Sequence, residues 1–166
     1  EEEEEEEEDV HPGNFLFLPD GRLGLIDFGC VVRYDNESDW ALLGRVNKAM
    51  LSGDEETIRS VMKEWQRLTD DPRDAEALEL CCDFAKWCWK PYYGSGPFDF
   101  ADSEYLQRGV DMVQSLVKKR VNRSHPTQLM QFRWQVGAWM LQYRLGACID
   151  PKPILHEEVR AAGWNA

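Results

Sequence analysis

The sequence predicts a mainly α-helical fold with a single β-hairpin near its N-terminus. A length of 166 residues with 43% hydrophobic content is enough for one domain with a hydrophobic core. An Asp-Gly pair joins two short apolar runs between residues 15 and 26, which is typical of a hairpin. From residue 38 onward, apolar residues recur at helical spacing.

The chain starts with eight glutamates at 1–8, which we interpret as an acidic tail or a tag-like run outside the fold, leaving residues 9–166 as the domain. This run supplies eight of the negative charges behind a net charge of −12, so the remainder carries only about −4. Lys and Arg form no extended stripe along the sequence. Nucleic acid is therefore not an expected partner, because binding it requires clustered positive charge.

The hairpin consists of "FLFL" at 15–18 and "LGLI" at 23–26, on either side of "PDGR". If the loop has two or four residues, the strands pair so that the two residue numbers add up to 41. Leu16 then faces Leu25, Phe15 faces Ile26, and a three- or five-residue loop would shift this register by one. Because both faces would be apolar, we expect the hairpin to be covered on two sides.

The same register places Asn14 opposite Asp27 at the open end of the hairpin. Directly opposed residues have Cβ atoms about 4.5–5.5 Å apart, so two oxygen-bearing side chains could share one cation. Mg²⁺ suits them, because it prefers oxygen ligands and often takes only one or two from protein. Asp9, in the irregular "DVHPG" stretch, could accept a proton from, or orient, a hydroxyl that attacks a bound phosphate.

The helical subdomain is expected to cover residues 38–166. Ser38 or Asp39 is the expected N-cap of the first helix, which ends at Gly53, and Asp54 is the expected N-cap of the second. Asp74 precedes a third helix that ends at the loop "KPYYGSGPFDF". The remaining helices are predicted at 102–122, 126–147 and 153–162.

The cysteines and tryptophans are interpreted as packing residues. Cys81 and Cys88 are seven apart on one helix face among apolar neighbours, and zinc is disfavoured because no second ligand pair exists. Trp65, Trp87, Trp89, Trp134 and Trp139 lie at helical spacing and are assigned to the core. Five cysteines without a signal peptide indicate a reducing, intracellular compartment.

The other polar features have simple explanations. His125 is a loop residue and His156 a surface residue on the last helix. The basic stretch at 117–123 complements a helix C-terminus, with contact to a lipid headgroup as the alternative. No apolar stretch reaches the roughly 18 residues that a membrane span requires.

The pattern Asp9-x-His11-x-x-Asn14, followed by Asp27-Phe28-Gly29, resembles the catalytic loop and the metal-binding DFG motif of protein-kinase-like enzymes. "DVHPGN" and "LPDGRLGLIDFGCV" are similar to the UbiB/AarF family of atypical kinases. The resemblance implies a protein-kinase-like C-lobe over residues 9–166, with the catalytic loop, hairpin and DFG motif at 9–29.

The resemblance also implies a role for each motif residue. Asp9 would be the catalytic base or hydroxyl-orienting acid, and His11 would lie near the transferred phosphate. Asn14 and Asp27 would bind Mg²⁺, and Phe28 and Gly29 would join them around ATP.

Only glutamates precede Asp9, so the glycine-rich loop, the strand lysine and the Lys-x-Gly-Gln segment of the family are absent from this sequence. The resemblance therefore implies a C-lobe that acts as a kinase or ATPase when joined to an N-terminal kinase lobe, and that is inactive by itself. It links the protein to isoprenoid quinone (ubiquinone) biosynthesis or lipid homeostasis, with an isoprenoid lipid or a peripheral membrane as partner, in mitochondria or plastids if the source is eukaryotic. The alternative is a catalytically inactive pseudokinase fragment that serves as a helical binding module.

Overall fold

The computed structural model describes residues 12–27, 37–119 and 126–163, and confirms a mainly α-helical fold with an N-terminal β-hairpin. A short 3₁₀ turn at Pro12–Asn14 leads into the hairpin strands. The strands are β1 (Phe15–Phe17), β2 (Leu23–Leu25), β3 (Phe98–Asp99) and β4 (Cys148–Ile149). The helices are α1 (Glu37–Ser52), α2 (Glu55–Trp65), α3 (Pro72–Tyr93), α4 (Ser103–Lys118), α5 (Pro126–Arg144) and α6 (Lys152–Ala161).

The predicted register of the hairpin is wrong by one residue. Strands β1 and β2 pair antiparallel with Phe15 opposite Leu25 and Phe17 opposite Leu23. The Leu18 N–H donates to the Arg22 carbonyl at 2.9 Å, which leaves a three-residue loop, and Gly21 in this loop adopts a φ of 82°. A left-handed residue at the end of a type I turn is the usual geometry of three-residue hairpin loops, and glycine adopts it without strain.

Helices α1 and α2 pack against each other and are joined by a two-residue connection. Gly53, at a φ of 68°, ends α1 as predicted, and its N–H donates to the carbonyls of Ala49 and Met50. Asp54 caps α2 as predicted, and its carboxylate accepts from the Thr57 N–H at 2.8 Å. The start of α1 differs from the prediction, because the helix already includes Ser38 and begins at Glu37.

Helix α3 begins three residues earlier than predicted and continues through a proline. Asp71 is its N-cap and Pro72 occupies the first turn, where a missing N–H costs no hydrogen bond. Asp74 lies inside the helix, fully buried, and accepts from the N–H and the hydroxyl of Thr69, both at 2.8 Å. Pro91 is tolerated near the C-terminus, and the helix ends at Tyr93.

The main hydrophobic core lies where α1, α2 and α3 pack together. On α2, Ile58, Val61 and Met62 are buried at helical spacing and face this core. Two of the cysteines on α3, Cys81 and Cys82, belong to this core as free thiols. Burial raises the pKa of Cys82 to about 11, because a thiolate there would lose its hydration.

A second core cluster joins α3 to α4. The Trp87 Nε1–H donates to the Tyr105 carbonyl at 3.0 Å, and the Tyr105 hydroxyl donates to the Trp87 carbonyl at 3.1 Å. Both side chains are buried together with Cys88. Trp139 of α5 meets the Trp87 ring edge-on at 4.5 Å between centroids. This cluster therefore connects three helices.

The strands β3 and β4 were not predicted. They pair Phe98 with Ile149 and Asp99 with Cys148, and so tie the loop after α3 to the segment after α5. Helices α4 and α5 both end a few residues earlier than predicted. Trp134 was assigned to the core, but 64% of it is exposed.

Several smaller predictions concern single histidines and cysteines, the basic stretch and membrane spans. His156 is exposed on α6 as predicted, whereas Cys30 and His125 lie outside the described residues. Within the basic stretch, Lys119 pairs with Glu76 of α3, and positions 120–123 also lie outside the described residues. No helix described here combines the length and apolarity needed to cross a membrane.

Candidate functional site

Asn14 and Asp27 meet at the open end of the hairpin. The Asn14 Nδ2 donates to the Asp27 Oδ2 at 3.4 Å, a long hydrogen bond. The backbone is tied at the same place, because the Ile26 N–H donates to the Asn14 carbonyl at 3.2 Å. The two side chains predicted to share a cation are therefore neighbours.

The two residues come together by a different route from the predicted one. In the observed register Asn14 faces Ile26, so strand alternation would point Asn14 and Asp27 to opposite faces. However, Asn14 belongs to the 3₁₀ turn and Asp27 lies beyond the end of β2. The alternation of side chains along a strand therefore does not fix the direction of either one, and the two side chains can point toward each other.

The chemistry of this pair fits a magnesium ion. Asp27 offers a carboxylate and Asn14 an amide, both of which can present an oxygen to a hard cation. Rotation of the Asn14 amide by half a turn would replace its N–H₂ with Oδ1 on the side of Asp27, a change that leaves the backbone untouched. No group of three or more His, Cys, Asp or Glu residues is gathered around a common point in the described ranges. Mg²⁺ does not require one, since substrate phosphates and water usually complete its shell.

The apolar side chains of the hairpin remain exposed beside this pair. The prediction that the hairpin is covered on both faces is wrong for this chain, since Phe17 is 69% and Ile26 is 57% exposed. The other exposed members are Leu16, Leu18, Leu23 and Leu25. The hairpin thus exposes apolar side chains from both strands next to the amide of Asn14 and the carboxylate of Asp27.

At the opposite end of the hairpin, the polar side chains form hydrogen bonds within the loop. Asp20 accepts from the Arg22 N–H at 3.2 Å and from its Nε–H at 2.8 Å. Both side chains are largely exposed, so this ion pair contributes little stability. Asp20 and Asp27 are therefore two exposed aspartates in one hairpin with different surroundings.

Four predicted site residues, Asp9, His11, Phe28 and Gly29, lie outside the described residues. Along the sequence, Asp9 precedes Asn14 by five positions, and Phe28 and Gly29 directly follow Asp27. Their roles remain predictions.

A cavity of about 400 Å³ within the helical subdomain was not predicted from the sequence. Its walls come from all six described helices and carry no residue of the hairpin. No local pattern could have predicted it, because an apolar stripe on a helix has the same spacing whether it lines a cavity or packs in the core.

Comparison with protein families gives a match to the first part of the chain. Residues 7–62 match the family described as ABC1 atypical kinase-like domain. The matched range includes the hairpin, both Asn14 and Asp27, all of α1 and most of α2. No curated protein matches the chain.

Proposed function

We propose, from the premise that this chain belongs to the UbiB/AarF family of atypical kinases, that residues 9–29 bind Mg-ATP and carry out phosphoryl transfer or ATP hydrolysis. Asn14 and Asp27 would hold the magnesium ion, with Phe28 and Gly29 beside the nucleotide. The observation that carries the proposal is the 3.4 Å contact between Asn14 and Asp27. The bound ion would neutralise the charge that develops on the phosphate oxygens.

Asp9 and His11 would handle the group that attacks the phosphate. A carboxylate at position 9 can accept the proton of a hydroxyl or water, or hold it in line with the phosphorus. An imidazole two residues later can donate to a phosphate oxygen. These roles rest on the motif spacing "DVHPGN" and on the family.

We also propose that the hairpin works against a nucleotide-binding N-terminal lobe. Exposed apolar side chains on both strands support this, because apolar surface of this kind is normally covered by a partner. The base of a nucleotide would take up part of the same surface. Without that lobe, we expect the C-lobe to be inactive.

The family further suggests a role in isoprenoid quinone biosynthesis or lipid homeostasis, with an isoprenoid lipid or a peripheral membrane surface as partner. This part of the proposal rests on family membership alone. It names the biological process that would use the phosphoryl transfer. The residues of the hairpin do not distinguish quinone biosynthesis from lipid homeostasis.

The test compares Asp27→Asn with Asp20→Asn in the protein joined to its nucleotide lobe. Both variants remove one exposed carboxylate from the same hairpin, but only Asp27 contacts Asn14. A ligand at 100 times its Kd stabilises the folded state by about 2.7 kcal/mol. In the wild type, Mg-ATP should therefore raise Tm by roughly 5–10 °C.

We expect Asp27→Asn to lose this shift and the magnesium-dependent ATPase activity, and Asp20→Asn to keep both. Equal behaviour of the two variants would contradict the proposed magnesium site. If the folded wild type shows neither a shift nor activity, the function is not phosphoryl transfer.

That last outcome would favour the second candidate, a helical binding module without activity. One observation favours this candidate: the two core clusters consist of residues from Val46 to Trp139, with no contribution from the hairpin. The helical subdomain thus has a core that does not depend on the motif.

A further inference from the structure

The helical subdomain forms a cavity of about 400 Å³ that the hairpin does not touch. The cavity is open to solvent on one side, where its lining residues Val117 and Trp134 are largely exposed. This cavity has room for about a dozen groups of water size at about 30 Å³ each. Its volume lies within the range of small-molecule sites, about 300–1,000 Å³.

The walls of the cavity are mainly apolar and aromatic. Indole rings come from three helices, with Trp65 on α2, Trp89 on α3 and Trp139 on α5. Methionine side chains contribute from α1 and α2, namely Met50 and Met62. Flexible thioethers beside rigid rings can adapt to ligands of different outline.

Four carboxamides are among the polar groups of the lining. They are Asn47 on α1, Gln66 at the end of α2, and Gln135 and Gln142 on α5, all half-buried. A carboxamide both donates and accepts hydrogen bonds, so it recognises a carbonyl or hydroxyl group without providing charge. A few polar groups in an apolar wall are typical of sites that orient a ligand.

No charged side chain lines the cavity among the residues that the structure describes. Its titratable wall groups are neutral at physiological pH, since burial raises the pKa of Cys81 to about 12 and also raises the pKa of Tyr92. A charged ligand placed here would lose its hydration without gaining a counterion. The lining therefore selects against phosphates, carboxylates and ammonium groups.

We infer that this cavity is a binding site for a neutral, predominantly apolar small molecule that carries one or two carbonyl or hydroxyl oxygens. The aromatic and methionine walls bind its apolar body, and the carboxamides bind its oxygens. The site is separate from the proposed magnesium site, and the inference does not depend on the proposed phosphoryl transfer.

The test uses the fluorescent probe 1-aminoanthracene, which is uncharged at neutral pH, with the folded protein and without nucleotide. Decan-1-ol and decanoate then compete for the probe. The two competitors share a chain length and differ in charge, so they separate apolar burial from anion binding. We expect the probe to bind at micromolar concentration, decan-1-ol to displace it, and decanoate to compete at least about tenfold less well.

A matched pair of variants on α4 locates the site. Val113 lines the cavity and is half-buried, whereas Val110, one turn away, is 41% exposed and does not line it. Val113→Phe should fill part of the cavity and weaken probe binding about tenfold or more, whereas Val110→Phe should leave it unchanged. If circular dichroism shows that Val113→Phe does not fold, Ala138→Leu on α5 fills the cavity from another wall.

Three results would overturn the inference. They are the absence of probe binding by the folded wild type, equal effects of the substitutions at 110 and 113, and equal competition by decanoate and decan-1-ol. Because none of these measurements uses ATP or magnesium, failure here leaves the proposed function untouched, and the reverse also holds.

Discussion

Helices α3 and α4 pack closely at Gly109, where the absence of a side chain leaves room for the Trp87 ring. Gly109 is buried on α4. A Cβ at this position would overlap the six-membered ring of Trp87, at atoms Cζ2, Cη2 and Cε2. We expect Gly109→Ala to destabilise the protein, although alanine is the better helix former.

Two opposing terms determine the sign of the effect. Replacing glycine by alanine inside a helix is favourable by about 1 kcal/mol. Overpacking a core costs about 1–3 kcal/mol. The cost should reach the upper end, because the Trp87 ring cannot retreat: its Nε1–H is bonded to the Tyr105 carbonyl, and Tyr105 and Trp139 contact the ring at 4.6 and 4.5 Å between centroids. The net destabilisation is then about 2 kcal/mol, or a decrease in Tm of roughly 4–8 °C.

The assay is urea unfolding, followed by circular dichroism, with Gly94→Ala as the control. Gly94 has extended backbone angles, φ −74° and ψ 177°, and no atom lies within 4 Å of a Cβ placed there. The same substitution should be neutral, or stabilising by about 0.4–1 kcal/mol through the unfolded state. If Gly109→Ala is as stable as the wild type, the Trp87 ring is free to move and the argument fails.

Two further predictions concern buried acids. Asp74→Ala leaves the N–H and hydroxyl of Thr69 without their acceptor, and should lower the free energy of unfolding by about 2–4 kcal/mol in urea titration; a loss below about 1 kcal/mol would contradict this. Burial raises the pKa of Cys81 from 9.0 to about 12, so above pH 9 the unfolded state gives up a proton that the folded state retains. The Tm of the wild type should therefore fall as the pH rises above 9. The fall should be less steep in Cys81→Ala, and as steep as in the wild type in the control Cys148→Ala, which replaces an exposed cysteine.

The helices could be predicted from the sequence because their apolar stripes and caps are local features. The turn between α1 and α2 was predicted to the residue, since Gly53 and Asp54 have distinct and opposite roles in adjoining helix ends. The start of α3 was wrong because two aspartates compete for the cap. Pro72 occupies the first helical position after Asp71, so Asp71 is the cap, whereas Asp74 lies inside the helix and accepts hydrogen bonds from Thr69.

Other features could not be predicted because they depend on distant parts of the chain. Each strand of the β3–β4 pair has two residues, too few to show an alternating pattern. Trp134 lies at helical spacing like Trp139, yet 64% of it is exposed, because spacing along one helix does not show which of its faces other elements cover. The 400 Å³ cavity likewise arises only from the way six helices meet.

Asn14 and Asp27 were correctly predicted to be neighbours although the predicted register of the hairpin was wrong by one residue, and the reason is geometric. A shift of one residue moves a cross-strand partner by only about 3.4 Å, which the side chains of Asn14 and Asp27 can span once they lie beyond the strand ends. Within the strands the same shift reverses every face. Phe17 and Leu25, predicted on opposite faces, now share one. A metal site at the open end of a hairpin is therefore more predictable than the apolar surface beside it, because the loop length governs the surface and only the approximate position of the turn governs the site.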